Sequence, residues 1–115
     1  MTIKRFGVGA RMSQAVVHNN TIYLAGQVGN PGESVAEQTA TILAKIDQLL
    51  ADTGSDKSKV LSATIWLASM DDFAEMNGVW DSWVVPGDTP TRAAGESRLA
   101  TPDYLVEIMI VAAAD

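Results

Sequence analysis

The chain has 115 residues, of which 47% are hydrophobic, and its 8 Lys+Arg against 14 Asp+Glu give a formal net charge of −6. This length fits a single domain, residues 1–115, with a core of its own. An acidic chain without a cluster of basic residues disfavours nucleic acid as a partner. Because the chain has no cysteine and one histidine, disulfides and thiol catalysis are excluded and a metal site is not expected. No apolar run is long enough for a signal peptide or a membrane span, so we expect a cytoplasmic protein without membrane contact.

The first predicted element is a β-hairpin over about residues 13–18 and 21–27. Its strands are rich in β-branched and apolar residues, and Asn19-Asn20 between them tolerates the positive φ of a two-residue turn. His18 at the tip is interpreted as a solvated turn residue rather than a catalyst. Ile3–Phe6 is a candidate for one more, N-terminal strand.

A helix is predicted from Ser34 onward, where the apolar period changes to three and four residues. Ser34 and Glu37 have the spacing of a capping box, and Gly54 stands where a left-handed terminating residue belongs. The apolar stripe consists of Val35, Thr39, Ile42, Ile46, Leu49 and Leu50.

The segment "KVLSATIWLAS" then predicts a mostly buried strand, and "DDFAEMNGVWDSWV" predicts a second helix. Asp72 and Glu75 have the spacing of a second capping box, and Pro86 ends the helical run. The apolar positions of this helix are Phe73, Met76, Trp80 and Trp83.

Two more strands are predicted near residues 90–97 and 103–113, which gives an α+β fold. We expect a six-stranded, mostly antiparallel sheet with both helices on one face. Between Tyr104 and Ala113 the last strand is apolar on both of its faces, at odd- and even-numbered positions alike, except at Glu107. Because a solvated sheet face should be polar, another copy of the sheet is expected to cover it, and we predict a homo-oligomer.

Two ionisable residues are the candidate functional groups. Glu107 needs a partner or a wet cavity, because a buried carboxylate without one is costly. Arg92 stands among Thr91, Ala93, Ala94 and Gly95, which leave room for a carboxylate or phosphate on its guanidinium. If the last two strands pair around a turn near residues 100–102, Arg92 lies close to Glu107.

Three segments together resemble the Rid (reactive intermediate deaminase) or YjgF-like family. "PTRAAGESRLATPDYLVEI" is similar to its C-terminal signature, including the interval of 15 residues from Arg92 to Glu107. "SQAVVHNNTIYLAGQV" resembles the family's hairpin, and "DDFAEMNGVWDSW" resembles its "DFAxxN" helix. The resemblance spans nearly the whole chain.

The resemblance implies a chorismate-mutase-like fold and a homotrimer with a central barrel and pockets at the subunit clefts. Deaminases of the family hydrolyse 2-imino or enamine acids to 2-keto acids and ammonia without a cofactor or metal. By position, Arg92 would hold the substrate carboxylate and Glu107 would position the attacking water. Gly26 would offer backbone contacts, and Asn77 would border the pocket.

Three positions depart from the family pattern. Met12 replaces an aromatic residue, Ala25 replaces the serine of Ser-Gly-Gln, and Ala94 replaces a cysteine or hydroxyl residue. These changes imply a roomier, less polar substrate pocket, to which Met12 and Ala94 would contribute, and they place the chain in a variant subgroup.

Each assignment has a structural alternative. Arg92 could pair with a surface acid, Glu107 could form a structural ion pair with Arg92 or Arg98, and Asn77 could be a helix-surface amide. At the level of function, the alternative is a non-catalytic sensor of small carboxylates, or a holdase, on the same trimer. The ribonuclease or translation-inhibitor activity attributed to some relatives ranks third, because the net charge of −6 disfavours it.

Overall fold

The computed structural model describes residues 2–115, which form seven strands, two helices and two short 3₁₀ turns. The 3₁₀ turns are Lys57–Lys59 and Met70–Asp72. The helices are α1 (Val35–Asp52) and α2 (Phe73–Trp83). The strands are β1 (Lys4–Phe6), β2 (Ala15–His18), β3 (Thr21–Leu24), β4 (Gln27–Val28), β5 (Val60–Leu67), β6 (Thr91–Glu96) and β7 (Val106–Ala113). The predicted α+β class is confirmed.

The strand order is β1-β2-β3-β7-β5-β6, with β4 also paired to β7, so the sheet has seven strands rather than the predicted six. All pairings are antiparallel except β5 with β6. The predicted pairing of the strands that carry Arg92 and Glu107 is therefore wrong, because β5 lies between them. The apolar strands β5 and β7 lie next to each other inside the sheet, and β6, which consists of small and polar residues, forms its edge. The connection from β5 to the parallel strand β6 crosses over through α2.

The seventh strand arises from a bulge in the segment that was predicted as one continuous strand, 21–27. Tyr23 pairs with Val111 and Gln27 pairs with Ile108, so a step of four residues faces a step of three on β7. The Nε2 of Gln27 donates to the Gln14 side chain and to the Ala25 carbonyl, both at 3.0 Å. The bulge thus falls at Ala25-Gly26, held by a pair of glutamine side chains.

Local signals at the turns and at α1 are confirmed. Asn19 and Asn20 have φ of 54° and 60°, as a two-residue hairpin turn with a left-handed backbone requires. The Ser34 hydroxyl accepts from the Glu37 amide at 3.1 Å, and the Glu37 carboxylate accepts from the Ser34 amide at 3.2 Å. Gly54, beyond the end of α1, has φ of 85°.

The predicted second capping box is wrong. Asp72 makes no side-chain capping bond to α2, because a 3₁₀ turn capped by Ser69 precedes the helix and leaves Asp72 without the extended backbone of an N-cap. The Glu75 carboxylate instead accepts from the Ala36 amide at 2.9 Å. This contact places a negative charge on the first turn of α1, where the helix dipole favours it.

Both helices of residues 2–115 pack on the same face of the sheet, here called the helix face. Its buried strand residues are Ala63, Ile65, Leu67, Val106, Ile108 and Ile110, which pack with Ile42, Ile46, Leu50 and Met76 of the helices. The opposite face, here called the open face, carries Trp66, Glu107, Met109 and Val111, all half-buried, and Tyr23, which is 50% exposed. A single chain thus leaves apolar side chains of the open face in contact with water.

A fully buried amide, Gln38, ties α1 to the segment that leads into β7. Its Nε2 donates to the carbonyls of Glu33 and Asp103, and its Oε1 accepts from the Leu105 amide, each at 2.9 Å. Both N–H groups of the Gln38 amide and one of the two lone pairs on its oxygen therefore have a hydrogen-bond partner.

Replacing Gln38 with leucine is expected to lower the free energy of unfolding by about 1–3 kcal/mol, because the part-buried Glu33 carbonyl and Leu105 amide each lose a hydrogen bond, whereas the Asp103 carbonyl keeps the bond from the Gly32 amide. Denaturant unfolding followed by circular dichroism measures this change. Gln48→Leu is the matched control, since Gln48 lies exposed on the same helix and bonds only to Asp52 at its surface. Equal losses in the two variants would contradict the structural role of Gln38.

Candidate functional site

Arg92 lies on the edge strand β6, directly beside Ala63 of β5, so its side chain is on the helix face. There it reaches α2. The guanidinium Nη1 donates to the Asn77 Oδ1 at 2.7 Å. The Cζ lies 5.6 Å from the ring centroid of Phe73 and 5.5 Å from that of Trp80.

The hydrogen-bond partner of Arg92 is an amide rather than a carboxylate. Asn77 can hold the guanidinium in place but cannot neutralise its charge. One N–H of the group is used, and the other donors of its planar fork remain for a further acceptor. Because the side chain is exposed, an anion from solution can reach it.

The small residues around Arg92 are divided between the two faces. Ala94, half-buried beside Ile65, shares the face of Arg92, whereas Ala93 and Gly95 point to the open face. A Cβ on Gly95 would come 3.2 Å from the Trp66 ring, so Gly95 is small because Trp66 packs over it. Only Ala94 among these three leaves space next to the guanidinium.

Glu107 lies on β7 between Trp66 of β5 and Val28 of β4, on the open face. Its carboxylate occupies the space where a side chain at Gly26 would be. A Cβ built on Gly26 would overlap the Glu107 Oε2 and approach its Cδ to 3.0 Å. The bulge at Ala25-Gly26 therefore places an open backbone segment against this carboxylate.

Five of the six predicted site residues fall into two groups in one chain. Arg92, Asn77 and Ala94 are on the helix side of β6, and Gly26 and Glu107 are on the open face. The expected proximity of Arg92 to Glu107 is not found, because strand alternation and the intervening β5 place them on opposite faces. Met12 lies in the β1–β2 connection with its side chain 49% exposed.

Two further features of the site were not recognised from the sequence. Phe73 is predicted only as an apolar position of the helix and Trp80 as a core or interface aromatic, although their spacing of four and three residues around Asn77 puts all three on one face of α2. The sequence predicts no role for Gln14 and Gln27 beyond the family motif, whereas the hydrogen bond between their side chains holds the bulge next to Glu107. The helical spacing was a signal that could have identified the first pair.

A surface cavity of about 700 Å³ lies away from both groups. It is formed by Glu96 at the end of β6 and by residues 97–102 that follow it, together with Ala68 and Tyr104. Of its charged residues, Glu96 already accepts from the Met70 amide at 3.1 Å, and Arg98 is exposed. Because this cavity contains none of the six predicted residues, it is not the candidate site.

Residues 2–115 contain no cluster of three or more metal-ligating side chains. No helix among these residues has the length and hydropathy needed to cross a lipid bilayer.

The comparisons with known proteins agree with one another. A family model described as Endoribonuclease L-PSP matches residues 2–114. RutC family protein YoaB of Escherichia coli (strain K12) is 50% identical over 113 residues, covering 98% of this chain and 99% of that protein. The 2-iminobutanoate/2-iminopropanoate deaminase of Rattus norvegicus is 31% identical over 107 residues, covering 87% of this chain and 77% of that protein.

Among solved structures, a member of the YjgF protein family from Neisseria meningitidis superposes with a TM-score of 0.98 at 54% identity. The match covers 100% of this chain and 97% of that one. Sequence and fold thus agree along nearly the whole chain. The resemblance inferred from the motifs is confirmed, and the chain belongs to the family of YjgF and RutC proteins that the Endoribonuclease L-PSP model describes.

Proposed function

We propose that the protein is a hydrolytic deaminase that converts reactive 2-imino or enamine acids to 2-keto acids and ammonia, without a metal or organic cofactor. The observation that carries the proposal is the exposed Arg92 guanidinium, whose hydrogen-bond partner Asn77 is neutral. Such a cation binds a carboxylate through two parallel hydrogen bonds. The name of the rat relative supports the reaction class.

The active site is proposed to form between copies of the chain. Arg92 with Asn77 and Gly26 with Glu107 are on opposite faces of one sheet, so one chain cannot place both around a small substrate. Arg92 is on an edge strand, and the half-buried apolar residues of the open face favour a neighbouring copy against them. A homotrimer, in which each neighbour pair forms one site, satisfies both conditions.

The proposed chemistry needs orientation more than a strong nucleophile. Arg92 binds the substrate carboxylate and leaves the adjacent C=N carbon next to Glu107 of the neighbouring copy. Glu107 accepts a proton as water adds to that carbon, and the same proton is returned to the nitrogen. In the second step Glu107 takes the hydroxyl proton of the carbinolamine and passes it to the amino nitrogen, so that the C=O bond forms as the C–N bond breaks, and ammonia and the 2-keto acid are released. Orientation and general acid–base assistance are both available to these residue types.

The substrate side chain is proposed to be larger than those of the imines of pyruvate or 2-oxobutanoate. Ala94 beside Arg92, Ala25 at the bulge and the exposed Met12 replace larger or more polar groups of related deaminases. A pocket lined by such residues favours apolar side chains over polar ones. We expect weak activity on the two small imines.

The deaminase proposal is tested by measuring ammonia and keto-acid release from a panel of imino acids generated enzymatically. Arg92→Ala is expected to lower kcat/KM by about 10- to 100-fold, because a charge-assisted pair to the carboxylate is lost. Arg92→Lys keeps the positive charge but not the planar fork of donors, so its kcat/KM should lie between those of wild type and Arg92→Ala. Equal rates for wild type and Arg92→Ala would reject a catalytic site at Arg92. If 2-keto acids bind without turnover of any imine, the chain is instead a carboxylate-binding protein.

Gly26→Ala is expected to lower kcat about tenfold or more, because the added Cβ must displace the Glu107 carboxylate. The matched control is Gly78→Ala in α2, where a Cβ meets nothing within 4 Å. That control should keep its activity and gain about 0.5–1 kcal/mol of stability from helix propensity. Steady-state kinetics and thermal unfolding of both variants check this pair of outcomes. Full activity of Gly26→Ala would contradict the placement of Glu107.

A further inference from the structure

Three side chains of α2 surround the Arg92 guanidinium. Phe73, Asn77 and Trp80 are four and three residues apart, a spacing that puts them on one side of a helix. Asn77 accepts a hydrogen bond from Nη1 at 2.7 Å. The ring centroids of Phe73 and Trp80 lie 5.6 and 5.5 Å from Cζ, within the range of cation–π attraction.

The ring of Trp80 is itself held in place by the core. Trp80 is only 5% exposed, and its ring centroid lies 5.3 Å from that of Trp83. The Trp83 Nε1 donates to the Asp47 carboxylate on α1 at 3.0 Å. The contact to Arg92 is thus connected through two tryptophans to the neighbouring helix, whereas Arg92 itself lies on an edge strand.

A neutral set of contacts has a property that an ion pair lacks. A carboxylate beside Arg92 would fix the guanidinium but would also compete with any anionic ligand. Aromatic rings and an amide attract the cation without supplying a negative charge. The guanidinium is therefore restricted in position while its charge remains available.

We propose that Phe73 and Trp80 are positioning residues for carboxylate recognition. Their ring faces, together with Asn77, fix the Arg92 fork before the ligand arrives and so reduce the entropy lost on binding. This inference rests on the proposed function, because it assumes that Arg92 binds the substrate carboxylate. The rings contact Arg92 rather than the reacting atoms, so the effect falls on binding and not on the chemical step.

The test compares Phe73→Leu and Trp80→Leu, which remove a ring face, with Phe73→Tyr and Trp80→Phe, which keep it. We measure the dissociation constant of 2-oxobutanoate by calorimetry, and KM and kcat for one imino acid that the wild type hydrolyses. Each leucine variant is expected to raise the dissociation constant and KM about five- to tenfold with kcat within about twofold. The two aromatic variants should restore binding to within about twofold of wild type.

Val79→Ala is the control for a merely structural effect. Val79 lies on α2 and packs against the core, but it has no aromatic ring to contribute to the contacts of Arg92. This variant should lower the melting temperature while leaving the dissociation constant unchanged. Phe73 is half-buried, so Phe73→Leu keeps the test valid if Trp80→Leu fails to fold.

The outcomes separate the two proposals. If the wild type binds 2-oxobutanoate and Phe73→Leu binds it equally well, the positioning role is overturned and the proposed function is not. The same conclusion follows if Phe73→Tyr binds as weakly as Phe73→Leu. Wild type that neither binds a 2-keto acid nor hydrolyses any imine overturns the proposed function, and the positioning role with it.

Discussion

Glu107→Gln is expected to lower kcat for imine hydrolysis by about 10²- to 10⁴-fold while the dissociation constant for 2-keto acids stays within about twofold. The amide is nearly the same shape as the carboxylate and still fits beside Gly26, but it cannot take a proton from water. Arg92, which binds the substrate carboxylate in the proposed site, is unchanged. The measurement is single-turnover ammonia release alongside calorimetric binding of 2-oxobutanoate.

The control for this substitution is Glu37→Gln, which makes the same chemical change at the exposed capping box of α1. Glutamine also serves at that capping position, so activity and stability should both be retained. Thermal unfolding of Glu107→Gln should be close to that of wild type, since the half-buried carboxylate has its charge removed rather than its volume. Undiminished kcat in Glu107→Gln would remove this residue from the mechanism.

Mixed assemblies of Arg92→Ala and Glu107→Gln subunits are expected to regain activity that neither variant has alone. If each site takes Arg92 from one copy and Glu107 from its neighbour, every mixed trimer contains a site with both native residues. On random mixing about three quarters of the trimers are mixed and about one site in three of these is intact, so about a quarter of the wild-type rate returns. Co-expression of the two variants with different affinity tags, followed by an ammonia-release assay, measures this fraction.

The double variant Arg92→Ala with Glu107→Gln, co-expressed with wild type, supplies the reference. The mixture of Arg92→Ala with Glu107→Gln regains activity only if each site combines residues of two copies. A site contained in one chain would always lack either Arg92 or Glu107 in that mixture. No recovery in mixtures shown by mass to contain both subunits would contradict a site shared between two copies. A two-fold assembly would also return about a quarter of the wild-type rate, because half of the dimers are mixed and one of their two sites is intact, so the mass of the assembly distinguishes two-fold from three-fold symmetry.

Local features of the fold could be predicted because short stretches of sequence determine them. The turn at Asn19-Asn20 and the capping box at Ser34 each depend on residues within about four positions. The second capping box failed for a long-range reason: Glu75 bonds to Ala36, 39 residues away in sequence, and a preceding 3₁₀ turn alters the backbone at Asp72. Local spacing could not reveal a competing partner on another helix.

The order of the strands was the larger error. A turn near residues 100–102 is compatible both with a hairpin and with a connection that crosses β5, and no local pattern distinguishes the two. The consequence for the site was direct, since Arg92 and Glu107 moved from neighbouring strands to opposite faces. Gln38 was missed for a related reason: its three hydrogen bonds go to Glu33, Asp103 and Leu105, two of them far away in sequence.

The bulge between β3 and β4 contains one residue more than regular pairing needs, so it shapes the backbone beside Glu107 without setting the register of the sheet. Ala25 and Gly26 together face Met109, and deleting Ala25 would leave Gly26 alone at that position, with Gln27 still beside Ile108 and Val28 still beside Glu107. The sheet should therefore tolerate this deletion, whereas the backbone next to the Glu107 carboxylate would lose its irregular shape. A deletion within the regular pairing of β7 has the opposite consequence, because every later residue would turn to the other side of the sheet.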